Sequence, residues 1–204
     1  MRQIPAVLLV VCLTAGHPAY THISLRDLAS REETWGEGAR LLVSGLWRPD
    51  GPFERLVRGV LEDSHARLRV LGSAFDWMPP AGRAVEFWGV LRRDATGWYL
   101  QFFNGRLRGD RSRKPRVTPP LRPGQQVELV ARLRQSGHEP FVRWVAETED
   151  RVVVELANEP PVSVLSGAIA RVRIHIRSAG QLGATGELLW ADPVPGTIPP
   201  ASGG

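Results

Sequence analysis

Between residues 40 and 47 the chain alternates: Leu41, Val43, Gly45 and Trp47 fall on one side of an extended backbone, and Arg40, Leu42, Ser44 and Leu46 on the other. Side chains of a strand point to opposite faces in turn, so a period of two with one apolar side predicts a half-buried strand. Four further runs follow at about 55–61, 67–71, 84–92 and 98–103, separated by turn residues such as Pro49-Asp-Gly-Pro52. In the run over 84–92, Val85, Phe87, Gly89 and Leu91 share one face, while Glu86, Trp88, Val90 and Arg92 share the other, as in a sheet with one wet side. Five short strands without a long helix predict a small closed barrel. Before them, Ser24 and Asp27 form a helix-start signal, with Leu25, Leu28 and Ala29 as a short apolar stripe.

The second half repeats this grammar. Gly124 followed by Val127, Leu129, Ala131 and Leu133 matches Gly38 followed by Leu41, Val43, Gly45 and Trp47 at a spacing of 86. Phe141 to Val145 matches Phe53 to Val57 at 88, Glu149-Asp150 matches Glu62-Asp63 at 87, and Ala184-Thr-Gly186 matches Ala95-Thr-Gly97 at 89. Four ordered matches at nearly constant spacing read as a duplication, the drift being what loop changes and bulges produce. The expected class is all-β, with two five-stranded barrels in tandem. Domain one spans 20–105, a linker 106–123 and domain two 124–192. Over 193–204 a Pro- and Gly-rich tail offers nothing to bury and is expected to be disordered.

Charge concentrates in one place. Arg106 to Arg116 holds six of the 26 basic residues and one of the 21 acidic ones, and the remainder balances at 20 against 20, so the whole formal charge of +5 sits in this bridge. Prolines at 115, 119, 120 and 123 stiffen its end, because a fixed φ and a missing N–H keep them out of regular ladders. The bridge reads either as a solvated linker or as a phosphate-tracking strip.

Residues 1–19 read as an export signal. Met-Arg is followed by an apolar run over 4–13 and then small residues, with cleavage fitting after Gly16 or Ala19. The run is too short to span a bilayer stably, so no integral membrane span is expected in the mature chain. The only cysteine, Cys12, lies inside the run, which leaves no disulfide framework to argue from. The expected location is the periplasm or cell envelope; a buried first strand of a cytoplasmic protein is the alternative for this segment.

The stretch from Ile23-Ser-Leu-Arg-Asp-Leu through Gly38, Leu41, Val43 and Gly45, then Leu61-Glu-Asp63, Pro80-Ala-Gly82 and Val85-Glu-Phe-Trp-Gly89, resembles bacterial oligonucleotide/oligosaccharide-binding (OB) folds, exported members especially. The likeness covers 23–105 well and 121–192 more loosely, with Ala131 where strand one carries a glycine. Residues 72–82 are too short and proline-rich for the helix many members carry there.

In such barrels ligands lie on the outer face of strands two and three and on the loops joining strands one to two and four to five. Those places hold Arg48, Arg67, Arg69, Arg92 and Arg93, with Trp88, Tyr99 and Phe103 as aromatics on the polar side. Arginine beside aromatic rings is the combination that tracks a single strand and stacks its bases. With Arg106, Arg108, Arg111, Arg113, Lys114 and Arg116 of the bridge, these residues form the candidate nucleic-acid site, for single-stranded DNA or RNA. The competing reading of the same aromatics is packing against the linker or domain two, in an envelope scaffold or protein-interaction module whose partners are envelope proteins. No glycine-rich phosphate loop, nucleophile elbow, paired cysteines or zinc-type histidine spacing occurs, so no catalytic residue, metal or cofactor is expected. Asp63 and Asp150 are expected in equivalent hairpin turns.

Overall fold

The structure, a computed structural model, describes residues 20–30, 35–51, 56–138, 140–161, 164–180 and 183–195. The expected export segment 1–19 lies outside them, as do residues 196–204 of the expected tail. Strand β1 (Thr21–Ser24) leads into the six-residue helix α1 (Leu25–Ser30). Its start is capped as the sequence suggests: the Asp27 N–H donates to Ser24 Oγ at 3.0 Å, and the Ser24 hydroxyl donates to Asp27 Oδ2 at 2.7 Å.

Barrel one contains β2 (Arg40–Pro49), β3 (Leu56–Glu62), β4 (Arg67–Ser73), β5 (Ala84–Asp94) and β6 (Gly97–Leu107). β2 pairs antiparallel with β5 through residues 40–46 and with β3 through 46–49, so one long strand belongs to both sides of the barrel. β4 and β6 run parallel, Arg69 to Leu71 against Tyr99 to Gln101, and complete the ring. Barrel two repeats the arrangement with β7 (Gln126–Ser136), β8 (Arg143–Thr148), β9 (Val153–Leu156), β10 (Ile169–Gly180) and β11 (Gly183–Pro193). Its closing parallel pair is β9 with β11. Numbered within each barrel, the cyclic order is one-two-three-five-four in both, consistent with the OB-like expectation.

The alternation read from the sequence sets the inside of each barrel. In barrel one Trp47, Phe87 and Phe102 meet edge to face, with ring centroids 5.1 and 4.8 Å apart. Barrel two is filled by aliphatic side chains such as Leu133, Val154, Val172 and Ile174. The segment between β4 and β5 carries no helix; α1 covers one end of barrel one instead, sending Leu25 and Leu28 into its core.

Several boundaries differ from expectation. β6 runs to Leu107, so Arg106 belongs to a strand rather than to the linker. β11 runs to Pro193, and the Val194 N–H donates to the Ile169 carbonyl at 2.9 Å. The match of Gly97 with Gly186 is out of register: Gly97 closes its hairpin opposite Asp94, and the residue in that role in barrel two is Gly183, opposite Gly180.

Candidate nucleic-acid interface and the seam between the barrels

The outer surface of barrel one divides into two halves. On the open half, β3, β4, β6 and β5 place Val60, Arg69, Tyr99 and Arg92 in one cross-strand row. The Arg69 guanidinium lies 5.5 Å from the Tyr99 ring centroid, and Arg93 lies 5.4 Å from that of Trp98. Arg48 and Arg67 flank the row and share Glu62, at 2.8 and 3.3 Å. Arg92 donates to Gln101 at 3.1 Å and lies 3.7 Å from Glu37.

These arginines are therefore mostly partnered. Arg69 grips both oxygens of Asp94, and together with Thr96 it holds that carboxyl down to about 2. Arg48 likewise holds Glu62 below the usual carboxylate range. A phosphate arriving here must share these guanidinium groups with ionised carboxylates. Among the described residues the side chains of Arg108, Arg111 and Lys114 are exposed and have no such partner. They, with Arg93, are the cations most readily given to a ligand.

The other half of the outer surface is dry. Trp88 is 0% exposed and Phe103 3%, although the alternation of β5 places Trp88 on the outer face. A bulge between Trp88 and Gly89 leaves Phe103 unmatched in the register and brings it beside Trp88, Val90, Leu42 and Tyr20 in a small apolar cluster. Strands β5 and β6 come so close that a Cβ on Gly89 would stand 2.0 Å from the Gln101 carbonyl oxygen. Barrel two lies over this cluster. Trp88 and Phe103 thus pack in an interface as the structure stands, and neither ring can stack a base unless the barrels part.

The covering element is the β8–β9 turn, Glu149-Asp150-Arg151. Arg151 is the only non-glycine residue with positive φ, 68°, among those described. A left-handed backbone there is expected to cost about 1–3 kcal/mol and persists only where surrounding contacts hold it. Those contacts are present: Arg151 donates to the Ser73 carbonyl at 2.5 Å, lies 5.7 Å from the Phe103 ring centroid and pairs with Glu147 at 2.9 Å. Beside it, Glu149 accepts from the Trp88 indole at 2.5 Å, Asn104 at 3.1 Å and the Arg116 backbone N–H at 3.1 Å. Asp150 pairs with Arg40 at 3.1 Å and accepts from the Thr118 N–H at 3.0 Å. Arg132 adds donors to the Ala74 and Phe75 carbonyls at 2.8 and 2.6 Å. The Glu62-Asp63 turn of barrel one differs in kind. There Asp63 only closes its own hairpin, accepting from the His65 and Ala66 N–H groups.

The basic bridge threads through this seam and spends half its cations there. Arg106 pairs with Glu86 at 2.5 Å and donates to the Arg113 carbonyl at 2.8 Å. Arg113 pairs with Asp76, and Arg116 joins Asp76 at 2.9 Å to Glu149 at 3.3 Å. Burial pushes Asp76 up, but Asn104, Arg116 and Arg113 outweigh it and hold the carboxyl below its ordinary range. Asp150 is depressed in the same way, burial being outweighed by Thr118, Thr148 and Arg40. For Glu149 burial prevails over its donors and the carboxyl is pushed up. The structure thus separates the fourteen candidate residues. Arg48, Arg67, Arg69, Arg92 and Tyr99 lie on the open face, Arg93 over Trp98 on the opposite register of β5 at the barrel end, Arg108, Arg111 and Lys114 on the exposed part of the bridge, and Trp88, Phe103, Arg106, Arg113 and Arg116 in structural contacts.

Sequence reasoning missed Asp76 and Asn104, and it read Glu149 only as a mark of the duplicated turn. The one mark of their role was the pair of large rings, Trp88 and Phe103, on an outward register. Among the described residues no group of three His, Cys, Asp or Glu side chains could hold a metal ion, and no helix is long and apolar enough to cross a membrane. Compared with known protein families, with curated proteins and with solved structures, the chain matches none.

Proposed function

We propose that this is a non-enzymatic OB-type binding protein that holds a single strand of nucleic acid on the open face of barrel one. The observation that carries the reading is the Arg69–Tyr99 stack, in a cross-strand row with Arg92 and flanked by Arg48 and Arg67. Tyr99 supplies a platform on which a base of any sequence can stack, and the arginines supply charge for its phosphates. Arg108, Arg111 and Lys114 extend the charge along the bridge. Barrel two then serves as the brace that fixes the bridge. In line with the apolar run at its start, the protein is exported to the periplasm or cell envelope, and N-terminal sequencing of native material is expected to show loss of the first 16 to 19 residues.

A second reading, an envelope protein-interaction module without a nucleic-acid ligand, is favoured by one feature of barrel two. Phe141 is 75% exposed, with Val142 beside it, and Leu165 stands out at 66%. A salt-series titration with labelled single- and double-stranded oligonucleotides separates the two. Single-strand affinity that falls steeply with salt supports the first reading, and no measurable binding at low salt leaves the second.

A further inference from the structure

We propose that three paired positions decide which barrel takes the strand: Arg69, Tyr99 and Arg92 give it to barrel one, while Glu155, Thr185 and Ser178 withhold it from barrel two. Each chain then holds one strand, on one barrel. The inference rests on the strand-binding reading above and deepens it.

The strand registers carry the argument. In barrel one, cross-strand partners link Arg48 to Val60, Val60 to Arg69, Arg69 to Tyr99 and Tyr99 to Arg92. In barrel two the same walk across the strands links Arg134 to Val145, Val145 to Glu155, Glu155 to Thr185 and Thr185 to Ser178. Four of the five pairs of positions stand 86 apart in sequence, and Val60 and Val145 stand 85 apart. The two are one row of the duplicated fold.

Barrel two keeps the frame of that row. Its arginine end is retained, with Arg48 leaning on Glu62 at 2.8 Å and Arg134 on Glu147 at 3.0 Å, and the valine beside it is retained as well. The frame is also open, since Val145, Glu155, Thr185 and Ser178 all line one groove on the outer surface. What differs is the chemistry. Thr185 offers no ring on which a base can stack, and Ser178 brings no charge. Glu155 stands where Arg69 does and takes Arg143 into an ion pair, so the centre of this row has no cation for a phosphate. A fourth pair concerns how Arg69 is held. Asp94, which grips it, lies opposite Gly97, and at the matching point barrel two has Gly180 opposite Gly183. A Cβ on Gly180 would meet nothing within 4 Å, so an aspartate fits there.

The test is a transplant in the full chain, read as strands bound per chain by native mass spectrometry at low salt. The probe is a single-stranded oligothymidylate of about six nucleotides, within the roughly 4–16 that one such barrel holds. The parent should bind one. The combined change Glu155→Arg, Ser178→Arg, Gly180→Asp and Thr185→Tyr should bind two, and Glu155→Arg with Thr185→Tyr alone serves if the larger graft does not fold. In barrel one, Arg69→Glu, Arg92→Ser and Tyr99→Thr together should weaken binding by at least about 5- to 150-fold, the range of one lost base stack. A chain carrying both sets of changes should bind one strand again. Circular dichroism and the unfolding temperature establish that each variant is folded. Two strands on the parent, or only one on a folded graft, would overturn the assignment and leave strand binding itself in place. No binding by the parent or by the graft would remove the strand-binding reading, and the assignment with it.

Discussion

The Trp88 indole N–H donates to Glu149 Oε1 at 2.5 Å, joining a strand of barrel one to a turn of barrel two across 61 positions of sequence. Both groups are almost wholly buried, and each needs the other. Glu149→Ala would leave the Trp88 indole and the Arg116 backbone N–H unmatched and strip Arg116 and Asn104 of one of their two carboxylate partners, Asp76 being the other. Truncating one member of a buried charged network costs about 3–5 kcal/mol, so this variant should unfold at a markedly lower temperature than the parent. Glu62→Ala, at the duplicated turn of barrel one, removes only the partner of two exposed arginines and should leave the unfolding temperature close to that of the parent. Similar losses in both variants would show that the seam is not what Glu149 supports.

Stability should peak well on the acid side of neutral, between the ordinary carboxyl values of 3.8 and 4.5. Glu149 is pushed above its ordinary 4.5, so it takes up a proton more readily folded than unfolded. Its contribution is complete below about 4.5 and is lost as pH rises through the raised value. Asp76 and Asp150 are held below 3.8, so their contribution is present above 3.8 and is lost as pH falls through their depressed values. Urea unfolding midpoints between about pH 2 and pH 8 should therefore rise as pH falls toward about 4 and drop on acidification below that. Glu149→Gln should abolish the rise while keeping the drop; a rise that survives this change must come from another group.

Charge removal on the bridge should act in two ways according to partner. Replacing Arg108, Arg111 and Lys114 together by alanine should weaken single-strand binding and flatten its salt slope by about two units, at roughly 0.7 counterion per phosphate contact. Replacing Arg113 and Arg116 should instead strip Asp76 and Glu149 of their cations, and the readout is a fall in unfolding temperature.

The aromatic rings divide in the same way. Tyr99→Ala should cost about 1–3 kcal/mol of single-strand affinity with the salt slope unchanged, because stacking releases no ions. Trp88→Ala should cost about 3–5 kcal/mol of folding stability through lost packing at the seam. Loss of affinity in a fully folded Trp88 variant would place the ligand on the seam instead of the open face.

The barrels were legible in the sequence because Leu41, Val43, Phe87 and their neighbours obey a two-residue period, and that period states which way each side chain points. It does not state what lies beyond. Trp88 and Arg92 share one register on β5, yet one is covered by barrel two and the other sits on the open face. Glu149-Asp150 and Glu62-Asp63 are the same dipeptide at duplicated turns. Only the left-handed Arg151 and the threading of Arg116 and Thr118 past the second turn make one of them a docking element. The bridge misled for a related reason: composition counts its charges, but Asp76 and Glu86, which take up several of them, lie far back in the chain.

Glu149 lies 61 residues downstream of Trp88, and this fixes an order of events on the ribosome. At synthesis rates of about 5–20 residues per second, barrel one, whose last strand ends at Leu107, is complete roughly 2–8 seconds before the turn that covers it has been made. Through that interval Trp88, Val90 and Phe103 form an uncovered sticky face on a nascent chain, and Asp76 waits for Arg113 and Arg116. A stop or a cut between residues 107 and 149 therefore yields more than a shortened protein. It yields a closed barrel with its adhesive side outward, a natural client for chaperones and a seed for self-association.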